Sequence, residues 1–455
     1  MATRLIVLAA GKGTRMKSAI PKVLHPLAGK SLLAHVLDTV AGLNPAGITV
    51  VIGHEAEKVK QTLTETSDLA LDWAIQAEQL GTGHAVQQGL INIADDDTVL
   101  ITYGDVPLTR RATYQALLDA CTEQSIGLLT LMMDDPTGYG RILREGGAVV
   151  GVVEQKDATD DQLTISEVNA GVVSIKGRSL RTLLDRLDNN NAQGEYYLTD
   201  IHELAVKDGL KITAVHPADA WETDGVNSRS QLARLERLHQ ANLAEQLMAA
   251  GVTLADPARI DVRGNLQTGT DVSIDVNCVF VGDCTVGNNV TIGPNCLISG
   301  SKIADNSVVL ANCVIEDAVV GETTTVGPFA RLRPGTQLGS RVRIGNFVET
   351  KNVQIGNTSK VNHLSYVGDT VVGTNVNIGA GTITCNYDGA NKHQTILEDN
   401  VFIGSNSALV APVTISAGST VGAGSTITRN VPADNLTFTR AKRTDIEHWT
   451  RPTKK

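Results

Sequence analysis

The sequence predicts a two-part fold, in which an α/β domain with a Rossmann-like, mostly parallel sheet precedes a parallel β-helix of hexapeptide repeats. The first part is indicated by short apolar runs that alternate with amphipathic segments up to about residue 227. The second is indicated by an aliphatic residue that recurs at every sixth position from about residue 274 onward. We therefore expect domains at 1–227 and 251–455, joined by a helical linker at 228–250.

Strand-like and helix-like segments alternate in the first domain. The apolar runs typical of buried strands are Leu5–Ala9, Thr49–Ile52, Val99–Tyr103 and Gly127–Leu131. Helical periodicity covers residues 31–42, 83–91 and 111–121. Alternation of this kind favours a parallel sheet with helices on its faces. Because ligands of such sheets bind at the carboxyl ends of the strands, we expect the chemistry in the loops that follow them.

The linker segment has the pattern of one amphipathic helix. Its leucines recur at helical spacing, with Arg and Glu between them, and Gly251 is placed to end the helix. The hexad pattern then follows, with Val286-Gly, Ile292-Gly and Ile344-Gly among its members, and an insertion between residues 384 and 395 interrupts it. Three hexads form one triangular coil, whose aliphatic residues point inward and stack with those of the neighbouring coils.

Composition and charge exclude several classes of protein. A net charge of -10 disfavours a nucleic-acid-binding surface, which needs a basic excess. No stretch approaches the ~18–20 apolar residues that span a bilayer. The N-terminal apolar run, Leu5–Ala10, is shorter than the ~7–15 residues of a secretory signal. We therefore expect a cytoplasmic protein that binds neither nucleic acid nor membrane.

Four of the six cysteines have a structural explanation. There is no CxxC pair of the kind that binds zinc. Each of the four lies at the same offset from an aliphatic residue of the repeat, in one small-residue position of the hexad: Cys278, Cys284, Cys296 and Cys313. We predict that these side chains fill the interior of the β-helix.

A glycine-rich loop, Leu8–Met16, follows the first predicted strand. Met16 stands where a dinucleotide-binding fingerprint needs its third glycine, and the chain has no GxxxxGK[ST] motif. The loop region instead carries three cations, Lys12, Arg15 and Lys22, which suit a triphosphate under attack. A tight strand–helix turn without function is the alternative.

A second candidate is Asp105, which directly follows the apolar run Val99–Tyr103. A carboxylate at the carboxyl edge of a sheet is well placed to hold Mg²⁺. An Asp that merely caps a turn is an equally good reading of this residue in isolation.

These motifs, together with others that follow in order, resemble the bifunctional N-acetylglucosamine-1-phosphate uridylyltransferases / glucosamine-1-phosphate acetyltransferases. The resemblance covers essentially the whole chain and implies a nucleotidyltransferase domain followed by a left-handed β-helix. The segments that carry it in the first domain are Leu8–Met16, Pro21–Leu24, Gln76–Gly83, Tyr103–Asp105, Gly138–Arg141, Val153–Ala158, Glu167–Gly171, Asn189–Tyr197 with Thr199–Asp200, and Gly225–Asn227.

The resemblance implies a role for individual residues of the first domain. Gln76, Gly81 and Thr82 would bind the uracil beside the backbone of Leu8, Ala9, Ala10 and Gly11, next to Tyr103 and Gly104. Arg15 and Lys22 would bind the phosphates and act in catalysis, and Asp105 and Asn227 would ligate Mg²⁺. Gly140, Glu154 and Asn169 would hold the sugar, with Glu195, Tyr197 and Thr199 as further candidates. The reaction would be in-line attack of the sugar-1-phosphate on UTP, which needs positioning and charge neutralisation.

His363 is the residue of the β-helix that breaks the hexad rule most informatively. It lies outside the aliphatic position and can therefore point outward, although most surface histidines are merely solvated. Glu349 and Lys351 precede His363 in the sequence by close to one coil, and are candidate neighbours. A carboxylate beside an imidazole would orient it as a proton acceptor.

The resemblance extends to the acetyltransferase half of the same family, in which a His is the base. It implies that His363 is the catalytic base, supported by Glu349. The residues implied for the sugar phosphate are Arg333, Lys351, Tyr366, Asn377 and Asn386. Those implied for acetyl-CoA are Ala380, Asn386, Tyr387, Ser405, Ala423 and Arg440. It also implies a homotrimer, in which the inserted loop covers a neighbouring subunit's cleft.

Two other functions compete with this interpretation. The first is a monofunctional sugar-1-phosphate nucleotidyltransferase whose β-helix only oligomerises or senses an effector. The joint presence of Glu349, His363, Asn386 and Arg440 argues against it. The second is a non-catalytic scaffold on a degenerate enzyme fold, which the intact cation loop and the Asp105–Asn227 pair disfavour.

Overall fold

The computed structural model describes residues 2–454 and divides into two compact units, one up to His239 and the other from Gln240 onward. The boundary lies inside one long helix, Arg229–Ala249. The segment that we predicted as a separate linker is thus a helix that contributes residues to both units.

The strands and helices of the first unit follow the predicted alternation. Its strands are β1 (Thr3–Ala9), β2 (Pro26–Leu27), β3 (Lys30–Ser31), β4 (Gly47–Ile52), β5 (Asp72–Ile75), β6 (Thr98–Tyr103), β7 (Ser125–Met132), β8 (Arg141–Glu145), β9 (Ala148–Val153), β10 (Glu167–Lys176) and β11 (Lys211–Val215). Its helices are α1 (Leu32–Ala41), α2 (Ala56–Thr66), α3 (Thr82–Gln88), α4 (Arg111–Ala120), α5 (Asp160–Leu163), α6 (Gly177–Leu184), α7 (Asp200–Lys207) and the shared α8 (Arg229–Ala249). The four predicted strands and three predicted helices are each present.

The main sheet of this unit has the order β5-β4-β1-β6-β10-β7-β11-β9-β8. Strand β1 pairs in parallel with β4 and with β6, which confirms the predicted Rossmann-like arrangement. Strand β10 is inserted antiparallel between β6 and β7. Because β1 is central, Leu5, Ile6 and Val7 are almost completely buried, and the loop that follows β1 emerges in the middle of the carboxyl edge.

Helix α8 is stabilised at both ends by apolar contacts within the respective units. Leu235 belongs to a small cluster with Met16 and Leu32, and Ala244 is buried against the core of the second unit. Gly251 adopts φ 98°, a left-handed conformation that glycine accepts without strain, and it follows the helix end as predicted.

The second unit is built from short parallel strands. They are β12 (Thr253–Leu254), β13 (Ile260–Thr268), β14 (Ser273–Ile274), β15 (Cys278–Val286), β16 (Thr291–Ile292), β17 (Leu297–Ser299), β18 (Lys302–Ile303), β19 (Val308–Val309), β20 (Val314–Glu316), β21 (Val319–Val320), β22 (Thr325–Val326), β23 (Arg331–Leu332), β24 (Thr336–Leu338), β25 (Arg343–Asn346), β26 (Glu349–Ile355), β27 (Lys360–His363), β28 (Tyr366–Val372), β29 (Asn377–Ile378), β30 (Ile383–Cys385), β31 (Thr395–Leu397), β32 (Phe402–Ile403), β33 (Ala408–Val410), β34 (Val413–Ile415), β35 (Thr420–Val421), β36 (Thr426–Ile427) and β37 (Leu436–Thr437).

These strands stack coil upon coil, which confirms the predicted left-handed parallel β-helix. Equivalent positions of neighbouring coils face each other directly, as in Ile292 opposite Val309 and Val309 opposite Val326. The aliphatic hexad residues form one continuous buried core. Cys278, Cys284, Cys296 and Cys313 are part of that core, so their predicted role as interior filler is confirmed.

The insertion in the hexad pattern is a loop between β30 and β31. Across it, Asn377 is opposite Phe402, which is a longer step along the chain than the one from Ile292 to Val309. The stacking continues beyond the loop, since Phe402 is opposite Thr420. The additional residues therefore leave the coil at a corner and do not disturb the inner rows.

The stacked core makes a stability prediction. Ile298 is completely buried between Phe280 and Ile315 of the neighbouring coils. Ile298→Ala should lower the free energy of unfolding by about 2–5 kcal/mol, because it removes apolar contacts on both sides and leaves a cavity. Urea unfolding followed by circular dichroism measures this loss.

The adjacent Leu297 provides the matched control, since its side chain is 36% exposed. Leu297→Ala should change the free energy of unfolding by less than about 1 kcal/mol. Equal losses for both variants would contradict the inward assignment of Ile298.

Candidate functional site

The predicted nucleotide-binding residues line one cavity at the carboxyl edge of the sheet. The cavity has a volume of about 310 Å³. Its lining includes Leu8, Ala9, Ala10, Gly11, Lys22, Gln76, Gly81, Thr82, Tyr103, Asp105 and Glu195. These residues come from the ends of β1 and β6, from the short 3₁₀ helix Lys22–Leu24, from the start of α3 with the segment before it, and from the segment that precedes α7. The fold thus assembles residues that lie far apart in the sequence.

The cavity wall requires glycine at position 81. Gly81 has φ 116°, and a Cβ atom there would lie 2.5 Å from the carbonyl oxygen of Tyr196. The chain therefore runs too close to its neighbour for any side chain. The buried Gln76 donates from Nε2 to the carbonyl oxygen of Gly81 at 3.0 Å, which fixes its amide at the cavity wall. An oriented amide can recognise the polar edge of a base.

Lys22 and Asp105, which line this cavity, meet the side chain of Asn227. The Lys22 ammonium donates to the Asp105 carboxylate and, at 3.1 Å, to the amide oxygen of Asn227. Side-chain exposure is 13% for Lys22 and 15% for Asp105, so the ion pair is largely desolvated. The two oxygens predicted to ligate Mg²⁺ thus converge on one point, where a cationic nitrogen lies.

The donor set at this point fits the implied magnesium ion. Mg²⁺ prefers oxygen ligands and is often held by one or two protein oxygens together with substrate phosphates and water. Asp105 and Asn227 supply one carboxylate and one amide oxygen. Within residues 2–454, no group of three or more His, Cys, Asp or Glu side chains could hold a metal by itself. Substrate phosphates and water would complete such a site.

The predicted sugar-binding residues lie together beside the cavity. The backbone N–H of Asn169 donates to the carbonyl oxygen of Gly140 at 2.9 Å. Glu154 accepts from the Thr199 hydroxyl at 3.0 Å. Burial raises the pKa of Glu154 above its ordinary value, while the bond from Thr199 opposes the shift. The carboxyl group is therefore oriented by Thr199 in a poorly solvated environment.

Two tyrosines complete this region. Burial, with the nearby charges of Glu154 and Asp105, raises the pKa of Tyr103, so its hydroxyl is protonated at neutral pH. Burial also raises the pKa of Tyr197 to about 12. The Tyr197 hydroxyl oxygen is buried without a geometrically satisfactory hydrogen-bond partner. It is therefore a donor that a bound ligand could satisfy.

Arg15 is a predicted nucleotide-site residue that does not line the cavity. It lies in a short 3₁₀ helix, Thr14–Met16, and is exposed. It is not among the residues that line the cavity described above. Its contact with the phosphates therefore stays a prediction.

In the second unit, four of the predicted acetyltransferase residues form a row along one corner of the β-helix. The strand register places Asn346 opposite His363. Continued upward, the same register places His363 opposite Ala380, then Ser405, then Ala423. Since neighbouring strands lie about 4.8 Å apart, this row spans about 14 Å from His363 to Ala423. Three of the predicted acetyl-CoA residues thus extend directly from the predicted base.

Arg440 lies beside the upper end of this row. Its guanidinium donates to the carbonyl oxygen of Ala423 at 3.4 Å and lies 5.4 Å from the ring centre of Phe438. Tyr387 lies in the inserted loop and is 61% exposed, and its hydroxyl donates to the Gly389 carbonyl oxygen.

The hydrogen-bond partner of His363 differs from the predicted one. Its ring Nδ1 lies 2.9 Å from the amide oxygen of Asn346, whereas Glu349 accepts from Arg333 at 2.9 Å. The physical reason is the length of the coil. One full coil before His363 is Asn346, and Glu349 comes after that point, so Glu349 lies opposite Tyr366 on the next face.

Cations and amides surround the predicted sugar-phosphate position. Lys392 of the inserted loop lies beside Lys351, and its ammonium lowers the pKa of Lys351 below the ordinary value. Asp369 accepts from Asn386 and, at 2.7 Å, from Asn352. The Asn386 amide also lies 3.4 Å from the Tyr366 hydroxyl. Asn377 begins β29 and is half-buried.

Four residues at these sites were missed by the sequence analysis: His84, Asn346, Asp369 and Lys392. His84 lies 3.2 Å from the amide of Gln76. Asn346 and Asp369 could have been found by counting one full coil from His363 and Asn352. Lys392 could have been found from the charge of the inserted loop.

Comparison with family models matches both parts of the chain. A MobA-like NTP transferase domain matches residues 5–250. A GMPPB C-terminal domain matches residues 262–355, and the hexapeptide repeat of succinyl-transferase matches residues 394–429. The first match agrees with the mostly parallel sheet, and the last agrees with the β-helix.

Relatives match the chain over almost its whole length. A bifunctional protein GlmU from Nitrosospira multiformis is 54% identical over 99% of this chain and 98% of its own. Another from Ralstonia nicotianae is also 54% identical, with the same coverage. A third, from Herminiimonas arsenicoxydans, is 52% identical over 99% of both chains. The chain therefore belongs to the family of bifunctional GlmU proteins, enzymes with a uridylyltransferase and an acetyltransferase activity.

Proposed function

We propose that the second unit transfers the acetyl group of acetyl-CoA to glucosamine-1-phosphate and that the first unit couples N-acetylglucosamine-1-phosphate to UTP. The product would be UDP-N-acetylglucosamine, a precursor for peptidoglycan and lipopolysaccharide, with release of pyrophosphate. The observation that carries the proposal is the grouping of predicted residues at two places. Most of the predicted nucleotide-binding residues line the cavity after β1 and β6. Four of the predicted acetyltransferase residues form the corner row that begins at His363.

In uridylyl transfer, the residues of the first unit position the nucleotide and neutralise its charge. Gln76 and the backbone at Gly81 would bind the uracil. Lys22 would move from Asp105 to the phosphates when the nucleotide enters. Mg²⁺ bound by Asp105 and Asn227 would neutralise the developing charge. An oxygen of the sugar phosphate would then attack the α-phosphate in line, with pyrophosphate as the leaving group.

In acetyl transfer, His363 would act as general base. The amine nitrogen of the sugar attacks the thioester carbonyl, a C–N bond forms, and the C–S bond breaks as CoA leaves. His363 takes the proton from the nitrogen and returns it to the departing sulfur. Arg333, Lys351 and Tyr366 would hold the sugar phosphate. The Arg333–Glu349 ion pair would set the position of the arginine.

We propose that the active form is a homotrimer. A ridge of apolar side chains runs beside His363: Phe329, Phe347 and Leu364 are 50%, 56% and 64% exposed. The two phenylalanine rings stack with centroids 5.4 Å apart. An exposed apolar ridge of this kind is typical of a contact surface. A neighbouring subunit on this ridge would lie beside the His363 row.

We also propose that the enzyme acts in the cytoplasm, where its nucleotide and thioester substrates are made. Among residues 2–454, none of the helices is both long and apolar enough to span a bilayer.

The monofunctional alternative is disfavoured by the corner row. Four predicted acetyltransferase residues are aligned there on successive coils, an alignment that a simple oligomerisation spacer does not require.

Removal of the predicted metal ligand should separate the two activities. Asp105→Ala should abolish uridylyl transfer, because it removes a magnesium ligand and the partner of Lys22. Acetyl transfer should be unchanged, since His363 lies in the other unit. Pyrophosphate and free CoA thiol, measured on one protein preparation, report the two rates.

The exposed Asp119 of α4, changed to Ala, serves as control and should leave both rates unchanged. Loss of both activities in Asp105→Ala would contradict the assignment of two independent sites.

Removal of the predicted base should have the opposite effect. His363→Ala, incubated with glucosamine-1-phosphate and acetyl-CoA without UTP, should release CoA thiol about 10²–10⁴-fold more slowly than the unaltered protein. The same preparation should still release pyrophosphate from UTP and N-acetylglucosamine-1-phosphate at the normal rate. Near-normal thiol release, confirmed by an acetyl-sized gain in the mass of the sugar, would remove His363 from the role of base.

The apolar ridge predicts the effect of a charge at its centre. Phe347→Glu should shift the protein from trimer to monomer in sedimentation or light scattering, because the carboxylate would be desolvated at the interface. Acetyl transfer should fall with the trimer, while uridylyl transfer persists. Val319→Glu, at an exposed position of the β-helix away from the ridge, is the control. A Phe347→Glu protein that remains trimeric would disprove the ridge as the contact.

A further inference from the structure

We infer that Asn346 is a positioning residue for acetyl transfer, which holds the His363 ring in the tautomer and orientation that a base requires. This inference rests on the proposed role of His363 as base, and it adds the side chain that orients the His363 ring. Asn346 ends β25 and lies directly opposite His363 in β27. Its amide oxygen is 2.9 Å from ring Nδ1 of His363.

The chemistry of the two groups determines which ring nitrogen carries the proton. A neutral imidazole has one N–H donor and one lone-pair acceptor, whereas the oxygen of an amide only accepts. With Oδ1 of Asn346 facing Nδ1, the hydrogen must be on Nδ1. Nε2 then keeps its lone pair on the side of the ring remote from Asn346. A base that abstracts the proton of an amine needs such a lone pair.

The backbone of His363 is fixed independently of the side chain. Its carbonyl oxygen accepts from the Ser365 hydroxyl at 2.8 Å and from the N–H of Gly381 at 3.3 Å. The following Leu364 turns the corner with φ 49°. Only the side-chain torsions of the exposed His363 remain to be set, and the bond to Asn346 constrains them.

The charged groups nearby do not compete for this position. Glu349 accepts from Arg333, which neutralises it, and Lys351 lies beside Lys392. Within the described residues, the hydrogen bond to Asn346 is the contact made by the His363 ring nitrogens.

A neutral partner has a consequence for the second half of the reaction. A carboxylate beside the ring would stabilise the imidazolium strongly, whereas an amide oxygen stabilises it only as a hydrogen-bond acceptor. After accepting the proton from the amine, the ring can therefore return it more readily to the departing CoA sulfur. Asn346 thus orients the base without retaining the proton.

Two substitutions separate this role from a structural one. Asn346→Leu keeps a similar volume but removes the acceptor, and should lower kcat for acetyl transfer about 10- to 100-fold, less than loss of the base itself. KM for both substrates should change by less than about threefold, since Asn346 contacts the base and is not among the residues proposed to bind either substrate. Asn346→Asp restores an acceptor and should recover most of kcat. A remaining loss of up to about fivefold is expected, because the carboxylate stabilises the imidazolium and slows return of the proton.

Asn288→Leu is the matched control. Asn288 also makes side-chain bonds to neighbouring coils, through Thr270 and Asp305, but lies far below His363 in the stack. It should leave kcat unchanged. Uridylyl transfer and the mass of the oligomer, measured on each preparation, show that the protein is intact. If Asn346→Leu does not assemble, Asn346→Ala is measured in its place.

The outcomes distinguish this inference from the proposed function beneath it. Normal kcat in Asn346→Leu, with His363→Ala inactive, would overturn the role of Asn346 and leave His363 as the base. Equal losses in the Leu and Asp variants would also overturn it, because an acceptor would then bring no rescue. Normal acetylation by His363→Ala would disprove the base, and the inference with it.

Discussion

The second unit depends on one constraint, the vertical stacking of coils whose backbone hydrogen bonds fix a rise of about 4.8 Å per coil. This stacking brings positions that are one full coil apart along the chain into direct contact in space. It buries the aliphatic rows on the inside, and on the outside it aligns whatever side chains occupy equivalent corners. The row from Asn346 through His363 to Ala423 is a product of that alignment. The alignment of the proposed acetyltransferase residues and the packing of the core therefore arise from the same repeat.

The first unit obtains its site in a different way, from the parallel sheet. Strands β1 and β6 are neighbours, so the loops that follow them open at the same edge. The backbone after β1 and the carboxylate after β6 consequently face one cavity. The Lys22 ammonium lies between a carboxylate oxygen of Asp105 and the amide oxygen of Asn227. Without a cation between them, these two oxygens would repel each other. The ammonium thus maintains the charge balance of a site suited to a divalent ion and an anionic substrate.

The sequence predicted most where a pattern repeats. It predicted least where a contact depends on the number of residues in one coil. The strands, helices and hexads were predicted because burial imposes regular periods on apolar residues. The meeting of the loops after β1 and β6 was also predictable, since both follow parallel strands. Glu349 was expected near His363 because its spacing is close to one coil, whereas the register places Asn346 directly opposite His363. The boundary between the two units inside helix α8 could not be predicted from the sequence, since an amphipathic pattern does not show which core each turn of the helix contacts.

The loop between β30 and β31 shows how such a fold can acquire new specificity. It adds residues at a corner, and the inner rows continue above it with unchanged register. The entropic cost of a longer flexible loop grows only with the logarithm of its length, at about 0.6 kcal/mol per doubling. Each coil also contacts only its immediate neighbours, so a disturbance remains local. Evolution can therefore exchange or lengthen loops at the corners, one coil at a time, and alter what the surface binds while the scaffold is inherited unchanged.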